Sequence, residues 1–210
     1  MGITRGKSDR VDAARIAQYG EEKQKTIQPD KPLNMGILRL KELLTFRKRI
    51  VRELAGYKVS LNERIHMYPN LKKDVISKIM ECKIKQGEKD VANLDEDLMK
   101  MATNDDSIKT NYTLLTSIRG IGMINALMTI AYTENFKSFP NPRSYAVYVG
   151  VVPFEHTSGI SIKGKKRVSP IANKELKQEL NHAARSAIQW DTEMKQYAEN
   201  KMKNKCYNIV

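Results

Sequence analysis

The chain of 210 residues has little cysteine, no long apolar run and no acidic excess. Its two cysteines, Cys82 and Cys206, are too few for a disulfide framework or a zinc site, and both read as reduced thiols. No apolar stretch approaches the roughly 20 residues of a membrane-spanning helix. The opening Met1-Gly2-Ile3-Thr4-Arg5-Gly6-Lys7 lacks the apolar stretch of a secretory signal, so the sequence reads as cytoplasmic. There are three histidines, His66, His156 and His182, and no spacing draws them together. What the chain has in excess is positive charge. Lysine and arginine number 37 against 24 acids, a formal net charge of +13. Hydrophobic residues at 40% are enough for a folded core. Such an imbalance fits a polyanionic partner, because each phosphate neutralised by a cation releases a condensed counterion. DNA, RNA and an anionic membrane surface all satisfy that requirement.

Four stretches differ in composition. Up to about Gly20, Val11, Ile16 and Tyr19 fall near helical spacing, and Gly20 is a helix stop. Glu21 to Pro32 is polar, with Pro29 and Pro32, and reads as a linker. From Leu33, the residues Ile37, Leu40, Leu44, Val51, Leu54, Leu61, Ile65 and Tyr68 follow four- and three-residue steps, the signature of a coiled-coil seam. Pro69-Asn70 ends that helix. A second, less regular run follows through Leu71, Val75, Ile79, Cys82, Val91, Leu94, Leu98 and Met101, with Gly87 placed to weaken or kink it. The pair reads as an antiparallel hairpin, serving either as an arm for association or as part of an intramolecular bundle.

Asn104-Asp105-Asp106-Ser107 is a polar break rich in helix-capping residues. Beyond it the pattern predicts a compact domain. A helix runs through Leu114, Leu115 and Ile118, the chain turns at Gly120-Ile121-Gly122, and a helix resumes from Met123 to about Tyr132. Alternation from Gly159 to Ser169 around Lys163-Gly164-Lys165 predicts a small β-hairpin. Lys174 to about Lys201 reads as one amphipathic helix with Leu176, Leu180, Ala183, Ala184, Ala187 and Ile188 inward. The fold class is therefore mainly α, divided into 1–32, a coiled-coil arm over 33–104 and a C-terminal domain over 105–210.

Three constellations could carry chemistry. Leu115 to Ala126 has the form of a helix-hairpin-helix, with Ile118 and Ile121 joining the helices. Gly120 and Gly122 would let backbone approach a phosphate at a helix N-terminus. An ordinary glycine turn has the same spelling. Asp9 and Asp12 stand three residues apart on one helical face, a spacing that suits a hard cation such as Mg2+ and equally suits a helix cap. Ser158, in His156-Thr157-Ser158-Gly159, precedes the cations Lys163, Lys165, Lys166 and Arg167. An exposed hydroxyl there could attack a phosphodiester, or could simply close a turn.

Taken in order, Lys7-Ser8-Asp9-Arg10-Val11-Asp12-Ala13, the coiled coil, Ile118-Arg119-Gly120-Ile121-Gly122, Tyr148-Val149-Gly150-Val151-Val152-Pro153 and Thr157-Ser158-Gly159 resemble the one-hundred-and-ten family of insertion-sequence transposases. The resemblance implies a DEDD-type recombinase with a RuvC-like (RNase H-like) domain, a coiled-coil arm and a C-terminal transposase domain, directed by a bridge RNA. It implies that Asp9 and Asp12 match the last two acids of a four-carboxylate Mg2+ site. It implies that Ser158 matches the serine that attacks DNA and that the coiled coil joins subunits. The first Asp and the Glu of that site would precede Met1, so an N-terminally truncated chain with a remnant RuvC-like helix is expected. The rival expectation is a non-catalytic nucleic-acid-binding and oligomerisation module.

Overall fold

The computed structural model describes residues 9–24, 26, 34–137, 139, 141–158 and 162–206, and for 154–158, 162–167 and 204–206 it gives the backbone path alone. Lys7, Ser8, Leu33 and most of the expected linker lie outside the described residues. The chain divides into two compact units, Met1–Leu33 and Asn34–Val210.

The first unit contains helix α1, Asp9–Lys23. Acids in its first turn and Lys23 in its last complement the helix dipole. The expected stop at Gly20 does not occur. Gln18 Nε2 donates to Glu22 Oε1 at 3.0 Å across that position, and Gly20 is carried through inside the helix. No residue of α1 is buried, and Val11, Ile16 and Tyr19 are exposed.

The second unit begins with the arm. Helix α2 spans Met35–Met67, with Asn34 Oδ1 accepting from the Gly36 N–H at 2.8 Å. A 3-10 turn, Pro69–Lys73, leads to α3, Val75–Asn104. Asp74 closes the tip. Its carboxylate accepts the Ser77 N–H at 2.8 Å and pairs with Arg64, which together hold its carboxyl below the ordinary value. The two helices run antiparallel, as the pairs Arg64–Asp74, Lys58–Glu88 and Arg47–Asp95 require.

The seam differs from the expected one in phase. Ile37, Leu40, Leu44, Leu54 and Leu98 are buried as anticipated. Val51 and Tyr68 are exposed, as are Val75, Ile79 and Cys82 on α3. The inward stripe of the distal α3 is instead Ser77, Met80, Ile84 and Gly87. Gly87 explains the shift. It neither breaks nor kinks α3, and a Cβ there would come within 2.6 Å of Leu54 Cδ2. The glycine is a hole that receives Leu54, and Val51 is left at the side of the seam.

Asp105 starts the next helix. Its carboxylate accepts from the Ser107 hydroxyl (2.7 Å) and backbone (2.9 Å) and lies below its ordinary pKa for that reason. Helices α4 (Asp106–Thr116) and α5 (Met123–Tyr132) follow. One core crosses the 104/105 junction: Leu40 and Leu44 of α2 and Leu98 and Ala102 of α3 cluster with Ile108, Leu127, Ile130 and, further on, Leu176. Each fully buried leucine or isoleucine here contributes roughly 1.5–3 kcal/mol.

After α5 the chain reverses through Glu134, Asn135 and Phe136, all at positive φ. Asn135 holds this uncommon turn, accepting from Asn111 Nδ2 (2.7 Å) and donating to the Ser107 carbonyl (3.2 Å). Helix α6 (Pro142–Val149) ends at Gly150 in the left-handed region. Strands β1 (Phe154–Ser158) and β2 (Ile162–Arg167) pair antiparallel, so a small hairpin forms but is displaced from the expected Gly159–Ser169: Lys163-Gly164-Lys165 lies within β2, with Gly164 opposite His156.

The final helix is two. Helix α7 (Lys174–Trp190) stops at Asp191, which adopts extended backbone and caps α8 (Thr192–Cys206) by accepting the Met194 N–H at 3.0 Å. Leu176, Ala183 and Ala187 point inward, whereas Ala184 and Ile188 are exposed, so the buried face is narrower than its composition suggested.

The Leu54–Gly87 fit generates a double-mutant test. Gly87→Ala is expected to lower stability by about 1–2 kcal/mol in the wild-type chain, because overpacking outweighs the helix-propensity gain. In a Leu54→Ala background the same change should raise stability by up to about 1 kcal/mol. Urea unfolding measures both, and additive effects would show that the two residues do not meet.

Candidate nucleic-acid interface

The turn between α4 and α5 is built by its two glycines in different ways. Gly120 has φ +92°, and a Cβ on it would fall 2.3 Å from the Ala183 carbonyl oxygen and 2.9 Å from the Ala187 nitrogen. The missing side chain of Gly120 is thus used to bring the turn against the α7 backbone, where two alanines leave room. Gly122 is the open one. Nothing stands within 4 Å of its Cβ position, it is exposed, and it precedes α5 with no side-chain cap. Any backbone approach of a phosphate is therefore through Gly122 and the first N–H groups of α5.

Ile118, expected to join the two helices, is 52% exposed, and Ile121 is half-buried. Arg119 in the same turn reaches a third helix, its Nη1 donating to the Trp190 carbonyl at the end of α7 at 3.0 Å and its Nε lying 3.8 Å from Asp191. Arg119 thus stabilises the last turn of α7, where a cation meets unpaired carbonyls. Sequence reasoning missed this bond, since nothing in a 71-residue separation signals it. It also passed over Trp190, the single tryptophan, which stands exposed at the end of α7.

The β1–β2 hairpin is seated at both ends. Before it, a Cβ on Gly150 would come within 2.5 Å of Ala172 Cβ, so the α6 terminus lies directly on the segment that returns from β2. After it, the Asn173 N–H donates to the Tyr148 carbonyl at 2.8 Å, and Asn173 Nδ2 donates to the Tyr148 hydroxyl at 3.0 Å. The same Asn173 caps α7 through the Leu176 N–H. In the ladder, Thr157 pairs with Lys163 and Ser158 with Ile162, so Ser158 is the last paired residue before the connection. The side chains of Ser158, Lys163, Lys165, Lys166 and Arg167 lie outside the described residues. The expected meeting of hydroxyl and cations is known only as this backbone register.

Asp9 and Asp12 are exposed on successive turns of α1, and Asp12 lies 3.7 Å from Arg15. Among the described residues no group of three or more His, Cys, Asp or Glu side chains gathers to hold a metal ion. Two carboxylates supply only part of the roughly six oxygens that Mg2+ takes, so these residues alone do not fit such a site.

Where the arm's base meets α7, Lys48 Nζ and the Tyr132 hydroxyl each approach Glu175 at 2.7 Å, the hydroxyl as donor. Lys48, then Tyr132, hold the Glu175 carboxyl below its ordinary value, while burial and the adjoining carboxylate push the Tyr132 hydroxyl up to about 12. The pocket beside them, about 50 Å³ between Lys41, Met128 and Tyr132, is far too small for a nucleotide. This is a structural link. Among the described residues no helix is long and apolar enough to cross a membrane.

Residues 112–199, from within α4 into α8, match the model of the "Transposase IS116/IS110/IS902 family". This is less than half of the chain, and it contains the glycine turn, the hairpin and Trp190. Over 180 residues the chain is also 25% identical to proteins named pilin gene-inverting protein in Moraxella lacunata and Moraxella bovis. That alignment covers 86% of this chain and 52% of each relative, so the chain spans about half their length.

Because the carboxyl of Glu175 is depressed in the folded state, the unfolded chain binds its proton first. The stabilisation is full above the ordinary value near 4.5 and is lost as pH falls through the lower folded value. Glu175→Gln should therefore lower stability at pH 7 by a few tenths to about 1 kcal/mol, and wild type and variant should converge as pH falls below the ordinary carboxylate value and through the lowered folded one. Thermal unfolding across that range gives the difference, and a gap that persists in acid would show a steric rather than an electrostatic role.

Proposed function

We propose that this chain binds DNA as part of a cytoplasmic recombination protein of the insertion-sequence transposase type, using the β1–β2 hairpin and the open end of α5 as its contact surface. The observation that carries the reading is the match over 112–199, because it coincides with the segment that builds both features. The names of the two relatives, which describe gene inversion, support recombination as the wider activity. The surplus of 37 basic over 24 acidic residues supplies the electrostatic part. Lys163, Lys165, Lys166 and Arg167 neutralise backbone phosphates, and Gly122 admits a further phosphate to the α5 N-terminus, with Gly120 fixing the turn.

Ser158 is the nucleophile of this reading. Its hydroxyl oxygen attacks phosphorus and forms a phosphoserine ester, the sugar oxygen leaves and takes up a proton, and the adjoining cations stabilise the charge that develops. A bridge RNA would choose the target by base pairing while the protein holds backbone, and the arm would join two copies. A non-catalytic binding and oligomerisation module is the alternative, and one experiment separates them.

Replacing Lys163, Lys165, Lys166 and Arg167 together by alanine should weaken duplex binding and reduce the log–log salt slope by roughly 3 to 4. An unchanged slope would remove the hairpin from the interface. Ser158→Ala should keep DNA affinity within about twofold and, in a full-length protein carrying this segment, abolish the covalent protein–DNA adduct formed on cleavable DNA. Binding with no adduct in either protein would favour the non-catalytic module.

A further inference from the structure

Trp190 is 71% exposed, an uncommon state for the largest apolar side chain. Its surroundings are specific. It lies on the helical face of α7 that carries Ala183 and Ala187, one turn beyond the point where Gly120 touches that face. Along the axis the step from Ala187 to Trp190 is about 4.5 Å. Arg119 donates to the backbone carbonyl of Trp190, so a guanidinium is fixed at the residue that carries the exposed indole. Arg119 is itself well exposed, and the guanidinium has further N–H groups beyond the one that it gives to the carbonyl. Ile118, exposed beside Arg119, extends the apolar surface.

The geometry points to a stacking platform: Trp190 takes the face of an unpaired base in a DNA strand while Arg119 and the α5 N-terminus at Gly122 hold the flanking phosphates. This rests on the DNA-binding reading above and adds the kind of DNA to it. A duplex hides its base faces in the stack, so the indole gains from a strand that is nicked, bulged or single. Charge complementarity selects a nucleic acid over an apolar peptide, since the platform adjoins Arg119 in a chain of net charge +13. Arg119 on the Trp190 carbonyl also restrains the end of α7, which lowers the ordering needed when a base arrives.

The single tryptophan makes the test direct. Titrating the full chain with an unstructured DNA 12-mer should quench its emission, and a blunt duplex of the same sequence should quench it far less. Measured by anisotropy of labelled DNA, Trp190→Ala should weaken single-strand binding about 5- to 150-fold while Trp190→Phe stays within about threefold of wild type. Duplex affinity should move less than about twofold in both variants. Equal losses on duplex and single strand, or no loss on either, would overturn the platform. Quenching by RNA of the same sequence but not by DNA would overturn it in favour of an RNA contact. A blue shift on concentrating the protein alone, with none on adding strand, would assign Trp190 to a contact between copies. The DNA-binding reading fails separately, when the four-cation hairpin variant binds duplex as tightly and with the same salt slope as wild type.

Discussion

A single aliphatic layer gives this protein its organisation. Leu40 from α2, Leu98 from α3, Leu127 and Ile130 from α5 and Leu176 from α7 are completely buried and belong to one cluster. Two long helices alone bury little apolar surface and would be marginal. By inserting their near ends into the layer, α2 and α3 acquire a fixed root, and Lys48–Glu175–Tyr132 adds a polar bond at the same level. Further out the arm is held by the Leu54–Gly87 fit, the partly buried Met80 and Ile84, the ion pairs Lys58–Glu88 and Arg64–Asp74, and the Asp74 cap. Apolar residues exposed near the tip, such as Val75 and Ile79, are the consequence of that thinning.

The second constraint is the contact of Gly120 with α7. It replaces a side-chain interface by a backbone one, so it tolerates no Cβ and fixes where α5 begins relative to where α7 ends. Arg119 then caps the α7 carbonyls, and Asp191 breaks the helix within reach of the same guanidinium. Four features of possible use to a nucleic acid, namely Gly122, Arg119, Ile118 and Trp190, follow from one close approach. The hairpin is positioned by an analogous device, the Gly150–Ala172 contact with Asn173 bonded to Tyr148.

Much of this architecture was legible in the residues because its signals are local. Asp105 as a cap, the helix from Met123 to Tyr132, the presence of a small hairpin (though not its position) and the antiparallel arm all depend on neighbours in the chain. The errors share a cause, which is that the deciding partner lies elsewhere. Gly87 read as a weak point because a propensity scale cannot see Leu54 arriving from the other helix. Val75, Ile79 and Cys82 had a credible apolar spacing, but Ser77, Met80 and Ile84 face the seam once Gly87 sets the phase. Gly120 and Gly122 looked equivalent by spelling, and only the α7 backbone distinguishes them. Of the candidate site, Ser158 read as a turn residue and is instead the last residue of β1, paired with Ile162, while Arg119 and Trp190 depend on a contact that joins distant segments.

The charge excess constrains function in a way that the fold cannot absorb. Ion pairs such as Arg39–Glu42, Arg49–Glu53, Lys58–Glu88 and Lys100–Glu96 run along or between the helices, and each removes one cation and one anion from the count together. However many form, the surplus of 13 positive charges remains. Such exposed pairs are each worth little, so they neither require the lysines nor explain their number. Surplus charge of one sign works against compactness through self-repulsion, and salt screens it only beyond about 8–10 Å. A polyanion removes that repulsion and gains the entropy of its released counterions. The α5 terminus and the hairpin both fall on the segment that matches the transposase family model, the same segment on which the proposed contact surface is drawn.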